Sequence, residues 1–131
     1  MIFGLGIDMV ELDRFQRLLN KGGDKFIRRF AHPEEIRLSP ACQSPRFLEY
    51  WTARFTVRES FAKALGTGLG ENHEKNFVSR QVGVTKDENG KPGLVFDGDL
   101  KVKLEKLGIR KTHLSITHTK IYAASVVVLE T

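Results

Sequence analysis

Apolar residues alternate at the start of the chain. Phe3, Leu5, Ile7 and Met9 fall on one face of an extended segment, and Gly4, Gly6 and Asp8 on the other. Residues 2–10 therefore predict a strand, and apolar character on both faces places it inside a sheet rather than at an edge. The period then changes. Leu12, Phe15, Leu18 and Leu19 recur at helical spacing within 11–20, and Gly22-Gly23 stops the helix. Short helices follow over 24–30 and 33–38, the second with Pro33 in its first turn. Residues 39–45, holding two prolines, read as loop. The longest helix runs from Pro45 to Leu65 and closes at Gly66-Thr67-Gly68, followed by polar loop over 69–76. Strands are expected over 77–85 and 93–96, on either side of an Asn89-Gly90 reversal. A helix over 99–107 ends at Gly108, and strands over 111–117 and 121–129 finish the chain. The last strand is rich in β-branched residues and is expected to be central. The pattern is α+β: a mixed or antiparallel sheet packed on one long helix, in a single domain spanning 1–131.

Composition narrows the classes. With 40% hydrophobic and 28% charged residues, a folded core is expected and wholesale disorder is not. One cysteine, Cys42, excludes a disulfide framework and a cysteine-based zinc site. No apolar run approaches the length of a membrane span. The first residues lack the basic leader and cleavage site of a secretory signal, so a cytoplasmic location is expected. Lys and Arg total 21 against 16 Asp and Glu, a net charge of +5 that favours anionic partners.

Two acids stand out. Glu59 falls within or beside the stripe formed by Leu48, Trp51, Phe55, Ala62 and Leu65. A carboxylate there must be desolvated, which is costly without a compensating cation. The plain alternative is a stripe-edge acid paired with Lys63 one turn later, worth about 0.3–0.5 kcal/mol. Asp8 is the only charge in the first ten residues and shares the glycine face of the opening strand. It could equally mark the strand end or cap the next helix. Taken together, the two acids suit Mg²⁺, which takes one or two carboxylates and fills its shell with water and phosphate oxygens. The basic residues Arg54, Arg58 and Lys63 crowd the same helix. Gly66-Thr67-Gly68-Leu69-Gly70 is not a Walker A motif, because its glycines close a helix rather than open one. His118 lies among hydroxyls in Ser115-Ile116-Thr117-His118-Thr119, where it suits either phosphate contact or a simple turn. The row Arg14, Arg17, Lys21, Lys25 and Arg28 reads as a solvated face or as a docking surface for an acidic helix. No nucleic-acid motif accompanies it.

Taken in order, these segments make the chain resemble the short stand-alone holo-acyl-carrier-protein synthase family of 4′-phosphopantetheinyl transferases. The matching motifs are Gly4-Leu5-Gly6-Ile7-Asp8-Met9-Val10-Glu11 with Arg14, the run Ala53 to Gly68, Asn89-Gly90-Lys91-Pro92, and Ser115 to Thr119 with Tyr122-Ala123-Ala124. The resemblance implies Mg²⁺-dependent transfer of 4′-phosphopantetheine from coenzyme A to a serine of apo-acyl carrier protein, releasing adenosine 3′,5′-bisphosphate, in fatty acid biosynthesis. It implies Asp8 and Glu59 as metal ligands and Lys63 as the basic residue near the phosphates. Arg54, Gly66, Thr67, Gly90, Pro92, Ser115, Thr117 and His118 match positions lining the coenzyme A site. Arg14, Arg17, Lys21, Lys25 and Arg28 match the surface receiving the acidic carrier protein. A homotrimer with coenzyme A between subunits is implied, with neither nucleic acid nor membrane as partner.

Two positions depart from the family pattern. Arg58 stands where a Lys is usual, and a planar fork does not present charge to phosphate as an ammonium does. His32 stands where a Thr commonly caps the helix leading to Glu35. The base that takes the serine proton is left between a metal-activated water near Asp8 and Glu35. The rival readings are a basic module that binds RNA or an acidic protein without catalysis, and a Mg²⁺-dependent nucleotide phosphohydrolase.

Overall fold

The structure is a computed structural model that describes residues 1–66 and 79–131. Its elements are β1 (Ile2–Glu11), α1 (Leu12–Gly22), α2 (Asp24–Phe30), α3 (Pro33–Leu38) and α4 (Arg46–Leu65), then β2 (Val82–Lys86), β3 (Pro92–Phe96), α5 (Gly98–Lys106), β4 (Lys111–His118) and β5 (Tyr122–Glu130). β5, the strand richest in β-branched residues, takes the centre of a three-stranded antiparallel sheet ordered β1-β5-β4, and β2 and β3 form a separate antiparallel hairpin. Every pairing is antiparallel, so the α+β expectation holds in its antiparallel form.

The opening strand is an edge strand, not an interior one. Its second apolar face is left uncovered: Leu5, Ile7 and Met9 are 62%, 61% and 61% exposed. They lie beside Val128, Val126 and Ala124 of β5 in the register of the sheet. The alternation of the sequence is the alternation of the strand, but the cover for the outer face does not come from this chain's own described residues. The expected strand over 77–85 also shortens. Residues 77–78 lie outside the described residues, 79–81 make a helical turn, and the strand begins at Val82.

The other face of β1 explains its glycines. A Cβ on Gly6 would sit 1.8 Å from the Ser60 carbonyl oxygen, and one on Gly4 would sit 1.8 Å from that of Ala64. Backbone lies directly on backbone there, and no side chain fits between. α4 is buried on most of its circumference from Trp51 to Leu65, because the sheet covers one side and α1, α3 and β2 approach the others. Thr56 and Ser60 are satisfied at the seam with β5. Thr56 Oγ1 donates to Ser125 Oγ at 2.9 Å, and Ser60 Oγ donates to the Ser125 carbonyl at 3.0 Å. Phe15, Phe26, Phe30, Phe55 and Trp51 form an aromatic cluster that clamps α1 and α2 to the first half of α4. The second half packs Phe61 and Leu65 against Val82, Leu100, Leu104 and Val127.

Candidate active site

Asp8 follows Gly6 on the face of β1 that rests on α4 and pairs in register with Ser125. Its side chain is 15% exposed. Lys63, on the last turn of α4, donates from Nζ to the Ile7 carbonyl at 2.9 Å and to Asp8 Oδ1 at 3.5 Å. Asp8 Oδ2 is buried and has no hydrogen-bond partner. A buried carboxylate oxygen left unpaired is uncommon and marks a place where something else is meant to bind. Glu59 lies one helical turn before Lys63 and is half-buried, as is Phe55 one turn further back. Glu59 thus belongs to the open seam of α4 beside the buried stripe, with Lys63 above it. The chemistry of the donors, a buried unpaired oxygen on Asp8 and a half-buried Glu59 on the helix that bears Lys63, fits a hard divalent cation that takes its other ligands from water and phosphate. Among the described residues no group of three or more His, Cys, Asp or Glu could hold a metal, so an all-protein cage is not on offer.

A second set of residues gathers at the other edge of the sheet. Arg54, Pro92 and His118 line one cavity of about 220 Å³, together with Tyr50, Arg46 and Lys86. The Arg54 guanidinium stacks 3.8 Å over the Tyr50 ring. Arg54 is buried and its Nε–H has no partner. Burial lowers the Arg54 pKa, and the Tyr50 side chain beside it opposes that shift. Burial likewise raises the Tyr50 pKa, and its hydroxyl donates to the Glu35 carbonyl at 2.7 Å. His118 Nε2 stands 3.8 Å from Glu49 Oε2. With Arg46, Arg54 and Lys86 against Glu49 on its wall, the cavity is lined mainly by positive charge and suits an anion. Arg46 and Lys86 were not singled out in the sequence. The i, i+4 spacing of Arg46, Tyr50 and Arg54 carries the signal for the first.

The remaining expected positions scatter. Ser115 and Thr117 are exposed on the outer face of the sheet, opposite Val126 and Ala124 of β5. Gly66 is the left-handed C-cap of α4 at φ 81°, and Gly90 is the φ 80° residue of the β2–β3 turn. Thr67 lies outside the described residues. Arg14, Arg17, Lys21, Lys25 and Arg28 are all exposed along α1 and α2.

Arg58 and Glu35 belong elsewhere. Arg58 is 2% exposed and Glu35 is 0% exposed. The Arg58 fork clasps both Glu35 oxygens, with Nη1 at 3.0 Å from Oε2. It also donates to the carbonyls of Phe30 (2.8 Å), Ser79 (3.1 Å), Arg54 (2.8 Å) and Val82 (2.9 Å). Glu35 additionally accepts the amides of His32 at 2.9 Å and Val84 at 3.1 Å. Glu35 therefore has no lone pair left for a substrate proton, and its candidacy as general base is withdrawn. The concern over Arg58 and phosphate geometry falls as well, because its guanidinium faces the interior. His32 caps α3 in full: its Nδ1 accepts the Glu34 amide at 3.0 Å within a capping box, so its Nε2 carries the proton and donates to Asp97.

The family model described as the 4′-phosphopantetheinyl transferase superfamily matches residues 4–124. The chain is 42% identical over 130 residues to a holo-[acyl-carrier-protein] synthase of Maridesulfovibrio salexigens, covering 99% of each. The crystal structure of the holo-[acyl-carrier-protein] synthase of Neisseria meningitidis superposes with a TM-score of 0.87 at 35% identity, covering 100% of both chains. That of the Bacillus anthracis synthase, in complex with CoA (3′,5′-ADP), gives a TM-score of 0.75 at 34% identity, covering 98% of this chain and 96% of that one.

Proposed function

The chain belongs to the 4′-phosphopantetheinyl transferase superfamily, and on that premise we propose how its residues divide the work. The reaction moves the 4′-phosphopantetheine arm of coenzyme A to a serine hydroxyl of apo-acyl carrier protein, leaves adenosine 3′,5′-bisphosphate, and serves fatty acid synthesis. Asp8 and Glu59 hold Mg²⁺, and the unpaired Asp8 Oδ2 is the observation that carries the assignment. An ion held by these two carboxylates would supply positive charge to offset that of the diphosphate. Lys63 already holds an ammonium against the Asp8 carboxylate and offers it to phosphate oxygens. Arg54 keeps its guanidinium over the Tyr50 ring, and with Arg46, Lys86 and His118 it receives the anionic nucleotide end of coenzyme A. Gly66, Thr67, Gly90 and Pro92 complete that site in this reading.

The two halves of the site stand at opposite edges of one sheet, Asp8 and Lys63 at β1 and His118, Ser115 and Thr117 at β4. A homotrimer that sets the β1 edge of one chain against the β4 edge of the next unites them. In the same trimer, packing of the subunits' outer sheet faces on one another would cover the apolar face of Leu5, Ile7 and Met9. Arg14, Arg17, Lys21, Lys25 and Arg28 form the docking row for the acidic carrier protein. The reading further takes residues 1–131 as one transferase unit at work in the cytoplasm. No helix among the described residues is long and apolar enough to cross a membrane.

The direct test is mass spectrometry of apo-acyl carrier protein incubated with the protein, coenzyme A and Mg²⁺. The expected result is a gain of one phosphopantetheine. Nucleotide hydrolysis without transfer, or carrier binding without either, would replace the reading. Ile7→Asp, assayed by sedimentation equilibrium, is expected to yield single chains without transfer. A trimer that survives it removes the subunit arrangement.

A further inference from the structure

Tyr50 sits one helical turn before Arg54 on α4, and both line the cavity at the β4 edge. At i and i+4 the two side chains share one face of the helix. The Arg54 guanidinium carbon lies 3.8 Å from the centre of the Tyr50 ring, a cation–π contact at close range. Arg54 is 7% exposed, and its buried Nε–H has no hydrogen-bond partner among the described residues. Water is thus largely withdrawn from this guanidinium. A desolvated cation gains more from a ring face than an exposed one does.

The ring is itself held from two directions. Its hydroxyl donates to the Glu35 carbonyl of α3 at 2.7 Å. The rings of Tyr50 and Trp51 meet edge to face, with centroids 5.1 Å apart. Both anchors are fixed in turn. Arg58 and two backbone amides lock the Glu35 carboxylate, and Trp51 is buried with its indole N–H on Ser39 Oγ at 3.0 Å. Burial raises the Tyr50 pKa, so the hydroxyl keeps its proton and its bond to α3 at neutral pH. A long arginine side chain loses much rotamer freedom when a ligand fixes it, and a rigid platform beneath it removes part of that loss beforehand.

We propose that Tyr50 is a positioning residue: its ring holds Arg54 where the charged end of coenzyme A is met, and so sets how strongly the cavity prefers a phosphorylated nucleotide to the bare nucleoside. The inference rests on the assignment of this cavity to coenzyme A. It moves part of that discrimination from the charged residues to a neutral one that acts through them.

The test is calorimetric titration of adenosine 3′,5′-bisphosphate and of adenosine, with transfer kinetics alongside. In Tyr50→Leu the bisphosphate is expected to bind about tenfold more weakly and adenosine within about twofold of its original affinity. The Michaelis constant for coenzyme A should rise with the bisphosphate constant, and that for carrier protein should not. Should leucine not be accommodated, Tyr50→Met takes its place, flexible and equally without a ring. Tyr50→Phe keeps the ring and loses only the hydroxyl, so it should recover the bisphosphate affinity to within about threefold. In an Arg54→Ala background, Tyr50→Leu should add less than about twofold, because the ring acts through that guanidinium. A Tyr50 that merely supports the fold behaves otherwise: both ligands weaken alike, phenylalanine does no better than leucine, and the loss is the same with or without Arg54. Any of these, or an unchanged bisphosphate affinity in Tyr50→Leu, overturns the proposal when circular dichroism shows the fold intact. An unsubstituted chain with no preference for the bisphosphate is a separate result, which overturns the assignment of the cavity and the proposal with it.

Discussion

Two carboxylates pack against α4 from opposite sides, and they are treated in opposite ways. Glu35 is sealed: two contacts from Arg58 and two backbone amides occupy its oxygens. Asp8 is left open, with one oxygen near Lys63 and the other buried without a partner. The first arrangement is what a chain does with a charge used for architecture, since a buried ion is tolerable only when every lone pair is filled. The second is unstable by that standard and makes sense only if the missing partner arrives with the reaction. Within one chain, the state of satisfaction separates a structural acid from a functional one more clearly than burial does.

The sharpest way to break this comparison is to open the sealed side. Arg58→Ala strands Glu35 in the interior and is expected to cost about 3–5 kcal/mol, read as a shift in urea midpoint with the slope unchanged. A loss below about 1 kcal/mol would show that the pair is not structural in the sense used here. Removing the open acid should do the reverse. Asp8→Ala is expected to keep or slightly raise the thermal midpoint while transfer falls at least about a hundredfold. Glu59→Ala should follow it, and near-normal rates in Mg²⁺ for either variant would contradict the metal assignment. Gly6→Ala probes the floor beneath Asp8. Its Cβ meets the Ser60 carbonyl oxygen at 1.8 Å, so β1 must lift from α4, at about 1–3 kcal/mol, and kcat should fall with stability. A variant of full activity and stability would mean the contact relaxes freely.

The smallest effect belongs to a third kind of acid, a half-buried one at the end of β5. A hydrogen bond with His113 holds the Glu130 carboxyl below its ordinary value of 4.5. Its folded-state pKa is depressed, so the stabilisation is full above pH 4.5 and is lost as pH falls through the lower value. Thermal midpoints of the unsubstituted chain and Glu130→Gln should therefore differ slightly at neutral pH and converge in acid. A gap that widens in acid would reverse the sign. His113 is exposed and Glu130 only half-buried, so solvent screening keeps the effect small.

Local pattern carried most of the element order into view. The alternation of Phe3 to Met9, the helical spacing of Leu12 to Leu19 and the β-branched run of β5 each appear where the period placed them. What the pattern missed is long in range. Whether the outer face of β1 is covered depends on what lies beyond the strand, and so it read as interior. Arg58 looked like a phosphate ligand out of place, because its partner Glu35 is 23 residues away. Lys63 and Asp8, 55 residues apart, were linked only through the resemblance. Arg46 was legible, one helical turn before Tyr50, but on spacing alone a single arginine at the start of a helix has no reason to be singled out.

Trp51 is the only tryptophan in the chain, and it forms part of the wall of a cavity beside Arg28. The molecule therefore carries its own fluorophore beside the exposed basic row of α1 and α2. Emission at fixed wavelength, followed while partner is added, reads occupancy with no label attached.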